Sequence, residues 1–130
     1  MIGLDTNVLV RFLTHDDAVQ TPVAVQLVNS LTSDSPGFVS LVVLAELNWV
    51  LKALYSVEKS ELELILENLL LNEALVVESS EIVWEALRKS KATAGGFTDC
   101  LIECSCNAAE CLYTVTFDRK AATAGMRLLH

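Results

Sequence analysis

The chain has 130 residues, 52% of them hydrophobic and 20% charged, with only five Gly and two Pro. That length suits one domain over residues 1–130 with a single sizeable core, and the composition excludes disorder and low-complexity linkers. Seventeen Asp and Glu against nine Lys and Arg leave a net charge of −8, the opposite of the basic footprint of a general nucleic-acid binder and better suited to a metal site or a basic partner.

Met1 to Leu4 is apolar throughout, as expected of a buried strand. Asp5-Thr6-Asn7 switches the chain into a helix marked by Val8, Leu9, Phe12 and Leu13, which ends near His15-Asp16-Asp17. A second helix covers about Asp17 to Leu31, capped either by Asp17 or by Thr21 ahead of Pro22. Ser33-Asp34-Ser35-Pro36-Gly37 is a turn, and Phe38-Val39 a short strand. Ser40 suits the cap of a helix running from Leu41 to Leu54, with Val43, Leu44, Leu47, Val50, Leu51 and Leu54 as a broad apolar stripe.

Ser56 or Ser60 is expected to open the next helix, Glu61 to Leu71, with Glu61, Glu63 and Glu67 facing water. Ala74 to Val77 reads as a third strand, and Ser79 or Ser80 as the cap of a helix through Ile82, Val83, Ala86 and Leu87. Its basic end, Arg88-Lys89-Ser90-Lys91, suits the helix dipole. After Ala94-Gly95-Gly96, Thr98 is expected to cap a helix from Cys100 to Ala109, with Asp99 in its first turn. Leu112 to Thr116 is a strand, Arg119 to Ala124 a short helix ended by Gly125, and Met126 to Leu129 a last edge strand. Strands alternating with helices predict an α/β fold with a mainly parallel sheet and helices on both faces.

The longest apolar run, Leu41 to Ala45, falls far short of the roughly 18 residues of a membrane-spanning helix. No basic stretch leading into an apolar core opens the sequence. A soluble, cytoplasmic protein without membrane association is expected. Cys100, Cys104 and Cys111 share one helical face and read as buried small hydrophobes; with Cys106 they fit no zinc spacing or disulfide framework.

Most of the acids belong on polar faces, in turns or at caps. Four stand apart. Asp5 and Asp118 directly follow strands, Glu46 interrupts the apolar run of its helix, and Asp99 lies in a first helical turn. Strand carboxyl ends and adjoining helix starts are where open α/β sheets place their chemistry, although each aspartate also suits a helix cap. Carboxylates held together need a counter-charge. In the absence of a His/Cys ligand set, an all-oxygen site points to Mg²⁺ or Mn²⁺ and to phosphate-ester chemistry by a metal-activated water.

Asp5-Thr6-Asn7-Val8-Leu9, Val43-Leu44-Ala45-Glu46-Leu47, Phe97-Thr98-Asp99-Cys100-Leu101-Ile102 and Thr116-Phe117-Asp118-Arg119, in this order and spacing, resemble the four signature stretches of PIN-domain nucleases, and most closely the VapC-type toxins of bacterial toxin–antitoxin pairs. The resemblance spans the whole chain. It implies a three-layer PIN-like fold, a parallel sheet of four or five strands flanked by helices, and a homodimer. It implies Mg²⁺- or Mn²⁺-dependent endoribonuclease activity, with Asp5, Glu46, Asp99 and Asp118 as the catalytic and metal-holding acids. Thr6, Asn7, Ser40, Thr116 and Arg119 would support them. It also implies a small antitoxin whose basic C-terminal segment lies in the toxin groove, which would account for the acidic charge. RNA would then be met by metal-screened carboxylates with local help from Lys52, Arg88, Lys89, Lys91, Arg119 or Lys120. Two other readings compete. A receiver-type domain is disfavoured, because the first strand offers no second aspartate and the late strand ends in Asp118 where that class has lysine. A catalytically silent PIN-like module that docks a basic partner would be expected to have lost some of the four acids.

Overall fold

The computed structural model describes residues 1–130. In chain order its elements are β1 (Ile2–Gly3), α1 (Thr6–Thr14), α2 (Gln20–Ser30), β2 (Gly37–Val39), α3 (Leu41–Tyr55), α4 (Lys59–Leu71), β3 (Leu75–Val77), α5 (Ser80–Ala92), α6 (Phe97–Ala108), β4 (Val115–Thr116), α7 (Arg119–Thr123) and β5 (Arg127–Leu128). Every strand pairing is parallel, as the alternation of strands and helices demands. The strands form two groups. One sheet has the order β1-β2-β3, with Gly3 opposite Phe38 and Phe38 opposite Val76; β4 pairs with β5 alone. β4 is shorter than the Leu112–Thr116 run suggests, and Leu112 and Tyr113 stand in solvent after a left-handed Glu110 (φ 65°).

Several helix starts follow the local chemistry. The Asp5 carboxylate accepts from the Thr6 N–H (2.8 Å), and Ser40 Oγ accepts from the Val43 N–H (3.2 Å). Neither expected cap heads α2: Val19 stands there without a side-chain cap, although Asp17 accepts from the N–H groups of Val19 and Gln20 in the preceding turn and Thr21 Oγ1 accepts from the Asp17 N–H. Other starts differ from expectation. Gly96, not Thr98, stands at the head of α6, and neither Ser79 nor Ser80 caps α5 with its side chain. α4 begins at Lys59 with no side-chain cap, and Ser56 instead ends α3 in the left-handed region.

The core is mainly helical. Leu44, Leu47 and Leu51 of α3, Leu62, Leu66 and Leu69 of α4, Val83, Ala86 and Leu87 of α5, and Cys100, Leu101 and Cys104 of α6 belong to one buried cluster that also takes in Leu4, Leu9 and Val39. Cys111, grouped with these cysteines by spacing, lies beyond the end of α6 and is exposed. Glu63, expected in water, is buried instead: Ser90 Oγ donates to its carboxylate at 2.6 Å and the Lys59 ammonium lies 3.6 Å away. That ammonium also donates to the carbonyls of Ser90 and Thr93, so one cation gathers α4 and the end of α5. At the far end of α1, Tyr55 Oη donates to Asp16 at 2.6 Å, and Arg11 contacts both Asp16 and Tyr55. No helix is long and apolar enough to cross a membrane.

α7 closes against the loop before α6. A Cβ placed on Gly95 would stand 2.7 Å from the Ala124 Cβ and 3.3 Å from the Lys120 carbonyl. Gly95→Ala should therefore push α7 off its seat and cost about 1–3 kcal/mol, as overpacking does. Urea unfolding checks this, and a wild-type midpoint would show that the loop yields freely.

Candidate active site

The two aspartates at strand ends do the same local work. Asp5 caps α1 through one carboxylate oxygen, and Asp118 caps α7 by accepting from the Lys120 N–H at 2.8 Å. In each case the second oxygen makes no hydrogen bond, so capping leaves half of the group available for a ligand. Thr116 Oγ1 accepts from the Asp118 N–H at 3.0 Å and fixes the turn that presents this side chain.

Asp99 lies in the first turn of α6, half-buried, and shares a cavity of about 290 Å³ with Asp118. The other walls of this cavity include Asn48, Lys52, Lys120 and Phe97. Burial first, and the Asp118 charge second, raise the Asp99 pKa above its usual 3.8, while Lys52 offsets part of the effect. The charges in the cavity are thus arranged as an acid pair flanked by cations. Arg11, Lys59, Lys89 and Lys91 are held in ion pairs with Asp16, Glu63, Glu103 and Glu67. Lys52 and Lys120 have no such partner and remain free at the cavity.

The other expected residues are dispersed. Glu46 is exposed, as are Val42 and Trp49 near it on α3. The apolar run continues around the helix, so an interrupting glutamate there is not a buried charge. Neither Asp5 nor Glu46 lines the cavity, and nowhere do three or more Asp, Glu, His or Cys side chains come close enough to hold a metal ion. The carboxylate oxygens of Asp99 and Asp118 are suitable donors for a hard divalent cation. Among the supporting residues, Ser40 caps α3 and Thr116 orders the Asp118 turn. Thr6 is buried with an unpartnered hydroxyl. Asn7 lines a separate apolar groove between α1 and α2, and Arg119 is exposed without an ion pair.

The sequence reading passed over Asn48. It is buried on the core face of α3, its Nδ2 donates to Thr98 Oγ1 at 3.1 Å, and its Oδ1 has no partner. This bond ties α3 to the first turn of α6 and so positions Asp99. The signal was available: Asn48 is the polar residue between Leu44 and Leu51 on a stripe of helical spacing.

The profile of the PIN domain matches residues 2–125. A comparison with curated proteins returned no match.

Because its pKa is raised, Asp99 binds a proton more tightly in the folded chain than in the unfolded one. The associated stability is complete below pH 3.8 and is lost as pH rises through the folded value. Asp99→Asn, or Asp118→Asn with its cap retained, should therefore raise the melting temperature of metal-free protein at pH 7. The gain should shrink toward zero near pH 4. An unchanged or lower melting temperature at pH 7 would contradict the repulsion.

Proposed function

The chain belongs to the PIN domain family, a nuclease superfamily, and from that premise we propose that it is a Mg²⁺- or Mn²⁺-dependent endoribonuclease, the VapC-type toxin of a toxin–antitoxin pair. The observation that carries this reading is the cavity in which Asp99 and Asp118 stand beside two unpaired lysines, Lys52 and Lys120. An acid pair has affinity for a hard cation, and free cations next to it have affinity for the phosphates of a polyanion. A bound divalent ion would supply a more acidic water and offset charge on the phosphate.

The chain's own residues have separable tasks in this scheme. Asp99 and Asp118 collect the positive charge that relieves their repulsion, and Asp5 and Glu46 are proposed as the remaining acids of the site. Lys52 and Lys120, on the walls of the same cavity, are proposed to hold the phosphate backbone beside these acids. Asn48 positions the first turn of α6 through Thr98, and Thr116 holds the Asp118 turn. An overall charge of −8 supports a basic antitoxin segment as the neutralising partner, laid over the same acids. A cytoplasmic location and self-association belong to the same reading.

Asp99→Asn should lower Mg²⁺- or Mn²⁺-dependent RNA cleavage by at least about 100-fold, the scale for loss of a charged group acting directly on the transition state, with the circular dichroism spectrum unchanged. Cleavage at the wild-type rate would remove Asp99 from the site. Wild type without metal-dependent cleavage on any RNA, once free of bound proteins, would favour a module that only docks a basic partner. Lys52→Gln and Lys120→Gln should each weaken RNA binding and flatten the dependence of log K on log salt by about 1 or slightly less. An unchanged slope would place the phosphates elsewhere.

A further inference from the structure

The end of α6 carries two cysteines in a geometry that the nuclease reading does not use. The Cys111 N–H donates to the Cys106 carbonyl and the Glu110 N–H to the Asn107 carbonyl, both at 3.0 Å. Glu110, between these donors and acceptors, is left-handed (φ 65°). Such a turn brings together the side chains of the third residue from the end of a helix and the third residue beyond it. α6 ends at Ala108, so those two residues are Cys106 and Cys111. An amide nitrogen lies about 1.5 Å from its own α-carbon and a carbonyl oxygen about 2.4 Å from its own. The 3.0 Å bond therefore keeps the two α-carbons under about 6.9 Å even in line, and the bends at N–H and C=O shorten this into the roughly 4.4–6.8 Å that a disulfide spans. Cys106 is half-buried and Cys111 exposed, whereas Cys100 and Cys104 are buried in the core. Burial lifts both inner thiols, Cys104 up to about 11. They stay protonated at neutral pH, and the thiolate is the form that reacts. The outer pair is the one open to an oxidant in solution.

We propose that Cys106 and Cys111 are a reversible redox pair, which hydrogen peroxide or another hydroperoxide converts to a disulfide within one chain, locking the end of α6 to the root of the segment that leads to Asp118. The Cys111 thiolate attacks one peroxide oxygen, the O–O bond breaks, and a sulfenic acid and hydroxide result. The Cys106 thiolate then attacks that sulfur; the S–S bond forms, the S–O bond breaks, and a second hydroxide leaves. Each hydroxide takes up the proton that one thiol gave, so two thiols and one peroxide become one disulfide and two waters. A thiol reductant reverses the change by exchange. The bond has a local consequence. Residues 109–113 are all exposed, and Leu112 is 96% exposed. In the reduced chain the turn is held by backbone bonds open to solvent, which open readily. The disulfide holds the same turn covalently, at the point where the chain leaves α6 for β4 and Asp118. None of this depends on the nuclease reading.

Titration of the reduced full chain with hydrogen peroxide tests this. Remaining thiols are alkylated after denaturation, and the chain is cut with a glutamate-specific protease, which separates Cys106 from Cys111 at Glu110. Fragments 104–110 and 111–130 should be recovered joined, with Cys100 and Cys104 alkylated, from chains that are not cross-linked to one another. Dithiothreitol should release them. In Cys106→Ser, Cys111 should stop at the sulfenic acid, which dimedone traps. Native oxidised wild type should be cut by chymotrypsin after Leu112 or Tyr113 at least about 10-fold more slowly than the reduced protein. Peroxide should leave the cutting of Cys106→Ser unchanged. If that variant does not fold, Cys111→Ser, altered outside the helix, serves as the control for cutting. A disulfide between Cys111 residues of two chains, or oxidation of Cys111 to the sulfinic acid with no disulfide in wild type, would overturn the pairing. A Cys106–Cys111 disulfide that leaves the chymotryptic rate unchanged would overturn the lock.

Discussion

Strands of two or three residues cannot hold a sheet by their own hydrogen bonds, and this constraint governs the whole molecule. A handful of ladder bonds, each contributing about 1 kcal/mol net, would not repay the ordering of the crossovers between parallel strands. The helices supply what is missing. Each fully buried leucine of the cluster joining α3, α4, α5 and α6 contributes about 1.5–3 kcal/mol. The sheet is therefore positioned by the helical core. Where that core reaches, at β2 and β3, two of the three residues of each strand are buried; where it does not, at β1 and β4, none is.

The same core sets how charge is distributed. A buried glutamate is tolerated at Glu63 because Ser90 and Lys59 satisfy it, and that pairing uses Lys59 to join α4 with the end of α5. Lys89 and Lys91 of α5 are likewise committed, to Glu103 of α6 and Glu67 of α4. An acidic chain with few bases then keeps Lys52 and Lys120 uncommitted beside Asp99 and Asp118, where a polyanion would otherwise be repelled. The arrangement is costly in the absence of a ligand, since the carboxyl of Asp99 is pushed toward protonation by its surroundings.

Much of this was legible from the residues. Alternating strand and helix patterns gave the α/β class, and Asp5, Ser40 and Asp118 read as caps because their chemistry is local. The failures were non-local. Glu63 read as a surface residue because its partner Ser90 is 27 positions away. Glu46 read as a buried charge because an apolar run was taken to mean a buried face, yet Val42 and Trp49 of the same helix are exposed. Thr98 read as a cap, whereas its hydroxyl is used by Asn48 of α3. Asp5 and Asp118 stood out by where strands end, and Glu46 and Asp99 by their places on helices, but pattern alone does not say which strand edges meet, and that decides which acids share a cavity.

The contacts of Arg11, Asp16 and Tyr55 bear on how the molecule can move. They tie the C-terminal end of α1 to the C-terminal end of α3, while Asp5 lies at the opposite end of α1 and Glu46 part-way along α3. Two stiff rods clamped at one end behave as a single lever, and the carboxylates they carry travel together. Geometric adjustment at the site is then left to the C-terminal piece, in which α7 rests on Gly95 and carries Asp118 at its head. Asp99 is joined to the same rods through the Asn48–Thr98 bond, so Asp118 alone of the four acids is carried by the C-terminal piece, beyond the exposed connector from residue 109 to residue 113.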